Sequence, residues 1–117
     1  MQVDSWWANS KEITMARLVV LYMTPKDAAV FDKHYFEIHI PLAKKIPGLR
    51  KYEVSVGGVG SPAGDSGVHL VATLEFDDMA AIQAAFASAE GQAASADVQV
   101  FAPGDRTQMF LFENREV

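Results

Sequence analysis

The sequence predicts an α+β domain built on one four-stranded antiparallel sheet, and three patterns carry that expectation. Residues 17–24 form a continuous apolar run rich in β-branched and aromatic types, which reads as a strand covered on both faces. Residues 49–56 and 68–76 alternate apolar and polar side chains, the period of two that a strand shows. Two stretches with helical spacing, 26–46 and 79–88, lie among them. With a last strand over 107–112, the order is strand, helix, strand, strand, helix, strand. That is the ferredoxin-like βαββαβ arrangement, with both helices on one face of the sheet.

Each element has its own signals. Thr24-Pro25 suits a helix start, and Asp27 sits near the favourable end of the helix dipole. At about 100° per residue, Phe31, Tyr35, Ile38 and Leu42 point the same way, Ile46 lies close by, and His39 falls about 60° off the centre of that stripe. Pro41 removes the hydrogen bond to the Glu37 carbonyl, so a kink is expected just after His39, where a cavity can open. Pro47-Gly48 ends the helix. Residues 57–67, rich in Gly and Pro, read as a flexible connection. In the following strand Val68, Leu70, Ala72, Leu74 and Phe76 share one face, and His69, Val71, Thr73 and Glu75 the other. Asp77 or Asp78 can cap the second helix, whose inner stripe is Met79, Ile82, Ala85 and Phe86. The alanine-rich 90–101 segment reads as a short helix ending at Pro103-Gly104.

The first and last strands are apolar on both faces, yet the helices can cover only one. A sheet face that bare exceeds what a monomer tolerates, so a homodimer packed sheet on sheet, a dimeric barrel, is expected.

At 117 residues the chain suits a single domain, expected to occupy 15–117 after an extension over 1–14 in which Trp6 and Trp7 are costly to leave in water. A net charge of −5 offers no footprint for nucleic acid or anionic lipid. With no cysteine there is no disulfide, thiolate metal site or thiol nucleophile, so chemistry must come from His, Tyr, Asp, Glu or the backbone. The first 14 residues lack the apolar core of a secretory signal. No stretch reaches the roughly 18 to 20 apolar residues of a membrane span. A cytoplasmic protein with no membrane or nucleic-acid partner is expected.

Phe31-Asp32-Lys33-His34-Tyr35, then His39-Ile40-Pro41-Leu42, the basic pair Lys44-Lys45 and Pro47-Gly48-Leu49-Arg50-Lys51-Tyr52-Glu53, together with the block from Phe86 to Asp97 followed by Phe101, form a pattern over about residues 15–113. It resembles the EthD-like family of small dimeric α/β-barrel proteins. The resemblance implies that fold and a homodimer, and it is specific for fold rather than reaction. The family takes its name from ether degradation and includes proteins associated with polyketide cyclisation or dehydration.

His39 is the first candidate for chemistry, since an imidazole at the edge of a buried stripe can act as general base or acid. In the resemblance it matches the His of the His-x-Pro-Leu motif, whose family counterparts line a pocket; otherwise it is a half-buried ring bonded to a carbonyl freed by Pro41. Tyr35, one turn away, can donate a hydrogen bond to a ligand oxygen or serve packing alone. Phe31 and Leu42, on the same stripe, are expected to contact a substrate, as is His69 if its face meets the cavity. Asp97, from the second block, can orient an imidazole, hold a ligand, or cap its own helix. His34 lies on the opposite flank and suits a solvent edge or interface. No compact metal-ligand spacing occurs, Gly57-Gly58-Val59-Gly60 lacks the context of a phosphate loop, and neither metal nor cofactor is expected. These residues point to cofactor-independent proton transfer on a small hydrophobic or aromatic, oxygen-bearing metabolite, by isomerisation, cyclisation or dehydration. A monooxygenase-type reaction follows only by family analogy. The alternative is a non-catalytic dimeric metabolite-binding protein.

Overall fold

A computed structural model describes residues 13–117. The extension with Trp6 and Trp7 lies outside the described residues but for its last two positions, which belong to the first strand. Four strands form the main sheet: β1 (Ile13–Met23), β2 (Lys51–Val54), β5 (Val68–Phe76) and β6 (Thr107–Arg115), in the order β2-β5-β1-β6, every neighbour antiparallel. This is the expected ferredoxin-like topology. The 57–67 connection is not featureless, since it carries a small hairpin of β3 (Gly60–Ser61) and β4 (Gly64–Asp65). The strands β1 and β6 are longer than expected, because they pair along their whole length, Ile13 reaching Arg115.

On the helix-facing side, Ala16, Leu18, Val20 and Tyr22 of β1 and Leu70, Ala72, Leu74 and Phe76 of β5 form the core. Tyr52 of β2, in register with Leu74, joins them. Over this face lie α1 (Ala28–His34), a π-helical turn (Tyr35–His39) and α2 (Ile40–Ala43), which run on as one rod, then α3 (Met79–Ala87) and α4 (Ala89–Phe101). Asp27 caps α1 by accepting from the Val30 N–H at 3.1 Å, and Asp78 caps α3 by accepting from the Ala81 N–H at 2.8 Å, so each short helix starts with its free donors satisfied. Ser88 ends α3 and caps α4, accepting from the Gly91 N–H at 3.0 Å. Gly91 permits this corner, because a Cβ there would stand 2.1 Å from the Ala85 carbonyl oxygen.

The π turn corrects the expected stripe. The N–H of Ile40 bonds the carbonyl of Tyr35, five residues back, where Pro41 next in line has no N–H to offer. A strict four-residue repeat drifts by about 40° per step on an α-helix, and the wider turn absorbs that drift. Phe31, Tyr35, His39 and Ala43 therefore share the buried face. Ile38, expected inside, is 49% exposed, whereas His39, expected at the edge, is 5% exposed.

Among the described residues no helix covers the opposite face of the sheet. There Val19 pairs with Phe110 and Arg17 with Phe112, and the two phenylalanines are 53% and 40% exposed.

Candidate active site

All three histidines of the chain contact carboxylates. His39 Nδ1 lies 2.9 Å from Oδ2 of Asp97, and His34 Nε2 lies 2.9 and 3.1 Å from Oδ1 and Oδ2 of the same residue. A carboxylate only accepts, so the ring nitrogens facing it carry hydrogen. Burial lowers the proton affinity of His39 from its ordinary 6.5, against the opposing pull of the Asp97 hydrogen bond and charge. The neutral ring thus holds its proton on Nδ1 and presents a lone pair on Nε2, which no described group bonds.

The local chain explains this convergence. The π turn swings His39 inward. On α4, Ala94 and Val98 are buried, and the small alanine side chains let this helix approach the π turn closely enough for Asp97 to reach both rings. Phe101, one turn beyond Asp97, packs its ring 4.9 Å from that of His39 and 5.1 Å from that of His34.

The three tyrosines form a second constellation. The hydroxyls of Tyr35 and Tyr52 are 2.7 Å apart, and the ring of Tyr22 packs edge-on 5.2 Å from that of Tyr35. Burial pushes all three phenols up, Tyr35 furthest, with its two phenol neighbours adding to the effect. Each therefore stays a neutral donor at physiological pH. With Tyr35 donating to Tyr52, the Tyr52 proton remains for a ligand.

A narrow cavity of ≈ 30 Å³ lies between helices and sheet, walled by His39, Tyr22, Tyr52, Ser95 and apolar side chains that include Leu18, Phe86 and Met109. Its apolar character with a few convergent polar groups is that of a small-molecule site. Met109, on the edge strand β6, is half exposed, and its unbranched side chain makes it the most adaptable wall.

The other sequence candidates fall elsewhere. Tyr35 is fully buried behind Tyr52 rather than on the cavity wall. Phe31 packs in the core against Tyr22 and Tyr35 and also walls an outer groove beside His34. Leu42 is half-buried on α2 and lines none of these spaces. Asp97 is mid-helix and makes no cap. His34, expected at a solvent edge or interface, is instead partly buried and bonded to Asp97. His69 occupies the point where the β1–β5 register slips between Tyr22 and Met23, which frees its ring to reach Asp32 of α1 at 2.8 Å. That pair lines an open groove of ≈ 770 Å³ under the β3–β4 hairpin, apart from the cavity of His39. Sequence reasoning missed Tyr22 and Tyr52 as site groups, although both stood at helix-facing strand positions. Among the described residues no group of three or more His, Cys, Asp or Glu is arranged to hold a metal ion, and no helix is long and apolar enough to cross a membrane.

Comparison with known proteins places this geometry in a family. The EthD domain model matches residues 24–105. An uncharacterized 11.0 kDa protein in the thcB-thcC intergenic region of Rhodococcus erythropolis is 39% identical over 100 residues, 85% of this chain and 95% of that protein. The crystal structure of an EthD family protein from Bacillus halodurans superposes with a TM-score of 0.80 at 40% identity, covering 86% of this chain and 99% of that one. SnoaB, a cofactor-independent oxygenase from Streptomyces nogalater, shares the fold at a TM-score of 0.63 and 14% identity, over 89% of this chain and 96% of its own. The match to the family model, across most of the chain and including His34, His39 and Asp97, shows that this protein belongs to the EthD domain family.

Proposed function

We propose that this protein catalyses cofactor-independent proton transfer on a small apolar, oxygen-bearing molecule, with His39 as general base and Tyr52 as hydrogen-bond donor to the oxygen. One observation carries the reading: among the described residues nothing bonds Nε2 of His39, whose ring walls an apolar cavity, while Asp97 holds the opposite nitrogen as a donor. Abstraction of a proton next to a carbonyl needs such a base, a donor where the enolate oxygen develops, and a site from which water is excluded. Tyr35 supports the donor by bonding Tyr52. A ligand larger than a few atoms enters by displacing the Met109 side chain. The cofactor-independent chemistry named for SnoaB supports the reading at the level of fold alone.

The test uses phenylacetone in deuterated buffer, with loss of its α-proton signals followed by NMR. The wild-type chain is expected to accelerate exchange and His39→Gln to abolish the acceleration. Wild-type exchange no faster than that of His39→Gln would overturn the assignment. Equal binding by both proteins without exchange would point to a metabolite-binding protein instead.

The reading includes a second copy of this chain on the open sheet face, where Phe110, Phe112, Val19 and Leu21 make a continuous apolar surface that water would otherwise cover at a cost. Light scattering at micromolar concentration is expected to give twice the mass of one chain, and Phe110→Glu to halve it. A well-folded wild-type monomer would sink this part.

A further inference from the structure

The carboxylate of Asp97 serves two imidazoles whose other edges meet different spaces. His39 walls the inner cavity. His34, with its side chain 22% exposed, walls an outer groove of ≈ 500 Å³ between the start of α1 and the end of α4. Among the described residues no Asp, Glu, Lys or Arg lines the inner cavity; the groove also carries Lys26, Asp27 and Arg106, and Arg106 is engaged with the Thr24 carbonyl at 3.1 Å.

We propose that His34, Asp97 and His39 share one imidazolium charge, so that a proton taken up by His39 from a ligand in the cavity is matched by a proton released from His34 to the outer groove. The proposal rests on the reading of His39 as the cavity base. The balance is simple. In the resting state His34 carries both ring protons, Asp97 is a carboxylate, and His39 is neutral. When Nε2 of His39 takes a proton, the ligand keeps the electron pair as an enolate, and the positive charge now lies on His39. A single carboxylate within hydrogen-bond distance of both rings neutralises one cation far better than two, so Nδ1 of His34 gives its proton to water. Both N–H groups facing Asp97 stay in place, and no proton crosses the carboxylate. Reprotonation of the product reverses each step. His34 is thus a positioning residue, which holds the charge that keeps His39 neutral until substrate arrives. Consistent with this, the charge of His34 adds to burial in lowering the proton affinity of His39, against the hydrogen bond and charge of Asp97.

The experiment is a ring-nitrogen NMR titration of the three histidines in the full chain without ligand, for wild type and His34→Gln, with His34→Asn as the second variant should the first fail to fold. His69, bound to a different carboxylate, is the internal reference. Removing the His34 charge is expected to raise the His39 midpoint by about two pH units, roughly 100-fold in proton affinity, which is the coupling that a matched release of one proton requires. If His34 merely braced Asp97, the loosened carboxylate would support His39 less and its midpoint would fall. A fall, or a rise smaller than about one unit, overturns the proposal. Because the rings are observed directly, that failure leaves the base assignment of His39 to stand or fall by the exchange test alone.

Discussion

The chain holds two kinds of histidine–aspartate contact at nearly the same distance, His39 to Asp97 at 2.9 Å and His69 to Asp32 at 2.8 Å. What separates them is where they sit. The side chains of the first pair are 6% and 11% exposed, those of the second 23% and 47%. Burial lowers the proton affinity of His39, and the cavity before it is apolar; the second pair faces an open groove in which water competes for every hydrogen bond. A short distance therefore does not make a base. The difference lies in the scaffold, where a π turn and a glycine corner bring two helices together over one carboxylate, whereas a slip in strand register leaves His69 leaning on the surface of α1.

The largest effect that would break this contrast acts through that corner. Gly91→Ala forces a Cβ against the Ala85 carbonyl and Phe86 Cα and is expected to cost about 3 kcal/mol, the upper range for overpacking. By comparison, Gly58→Ala, which meets nothing within 4 Å, is expected to stay within about 0.5 kcal/mol; chemical denaturation of both variants decides. If Gly91→Ala is neutral, the close approach of α3 and α4 does not fix Asp97.

Next in size, His39→Gln is expected to lower catalysed proton exchange by about 100-fold or more, and His69→Gln to leave it within about twofold of wild type. A comparable loss in the two variants, measured with one ligand, would erase the distinction between the pairs. Asp97→Asn should reduce exchange by about 10- to 100-fold, as for a lost orienting partner, and should also lower stability by about 1–2 kcal/mol, because the amide sets an NH₂ donor against a ring N–H where the carboxylate accepted and carries no charge.

The smallest effect is on pH dependence, and it carries a sign. His39 binds its proton more weakly in the folded chain than the ordinary 6.5, so its contribution to stability is complete above 6.5 and is lost as the pH falls below it toward the depressed folded value. Unfolding free energy should decline more gently over that acid range in His39→Gln than in wild type. Parallel curves for wild type and His39→Gln would show that His39 is not held neutral by its surroundings.

Strands and helices were largely legible in the sequence, since alternation in 68–76 and the capping aspartates are local signals. The site was legible only in part. His39 stood out as a polar ring on an apolar helix, but a fixed 100° step misassigned its neighbours, because the repeat of Phe31, Tyr35, His39 and Ala43 has a period of four that only a wider turn can hold on one side. Asp97 could be named from its block yet not joined to His34 and His39, which lie 63 and 58 residues away; no local pattern encodes that meeting. The slip that turns His69 toward Asp32 is likewise a property of paired strands and has no counterpart in the sequence of either one.

The π turn at Tyr35–His39 is equivalent to one residue inserted into an ordinary helix, and this gives the rod a built-in phase shift. The half before it is indexed to the aromatic cluster of Phe31, and the half after it to the cavity. Straightening the turn to ordinary α-helix at unchanged length would rotate everything beyond it by about 100° relative to what precedes, carrying His39 off Asp97 and bringing a different side chain round to the cavity with no change in composition. A one-residue deletion between Tyr35 and His39, which takes out the extra residue together with the wide turn, would by contrast leave what lies beyond in phase, so the turn is as much a determinant of the site as the identity of His39 itself.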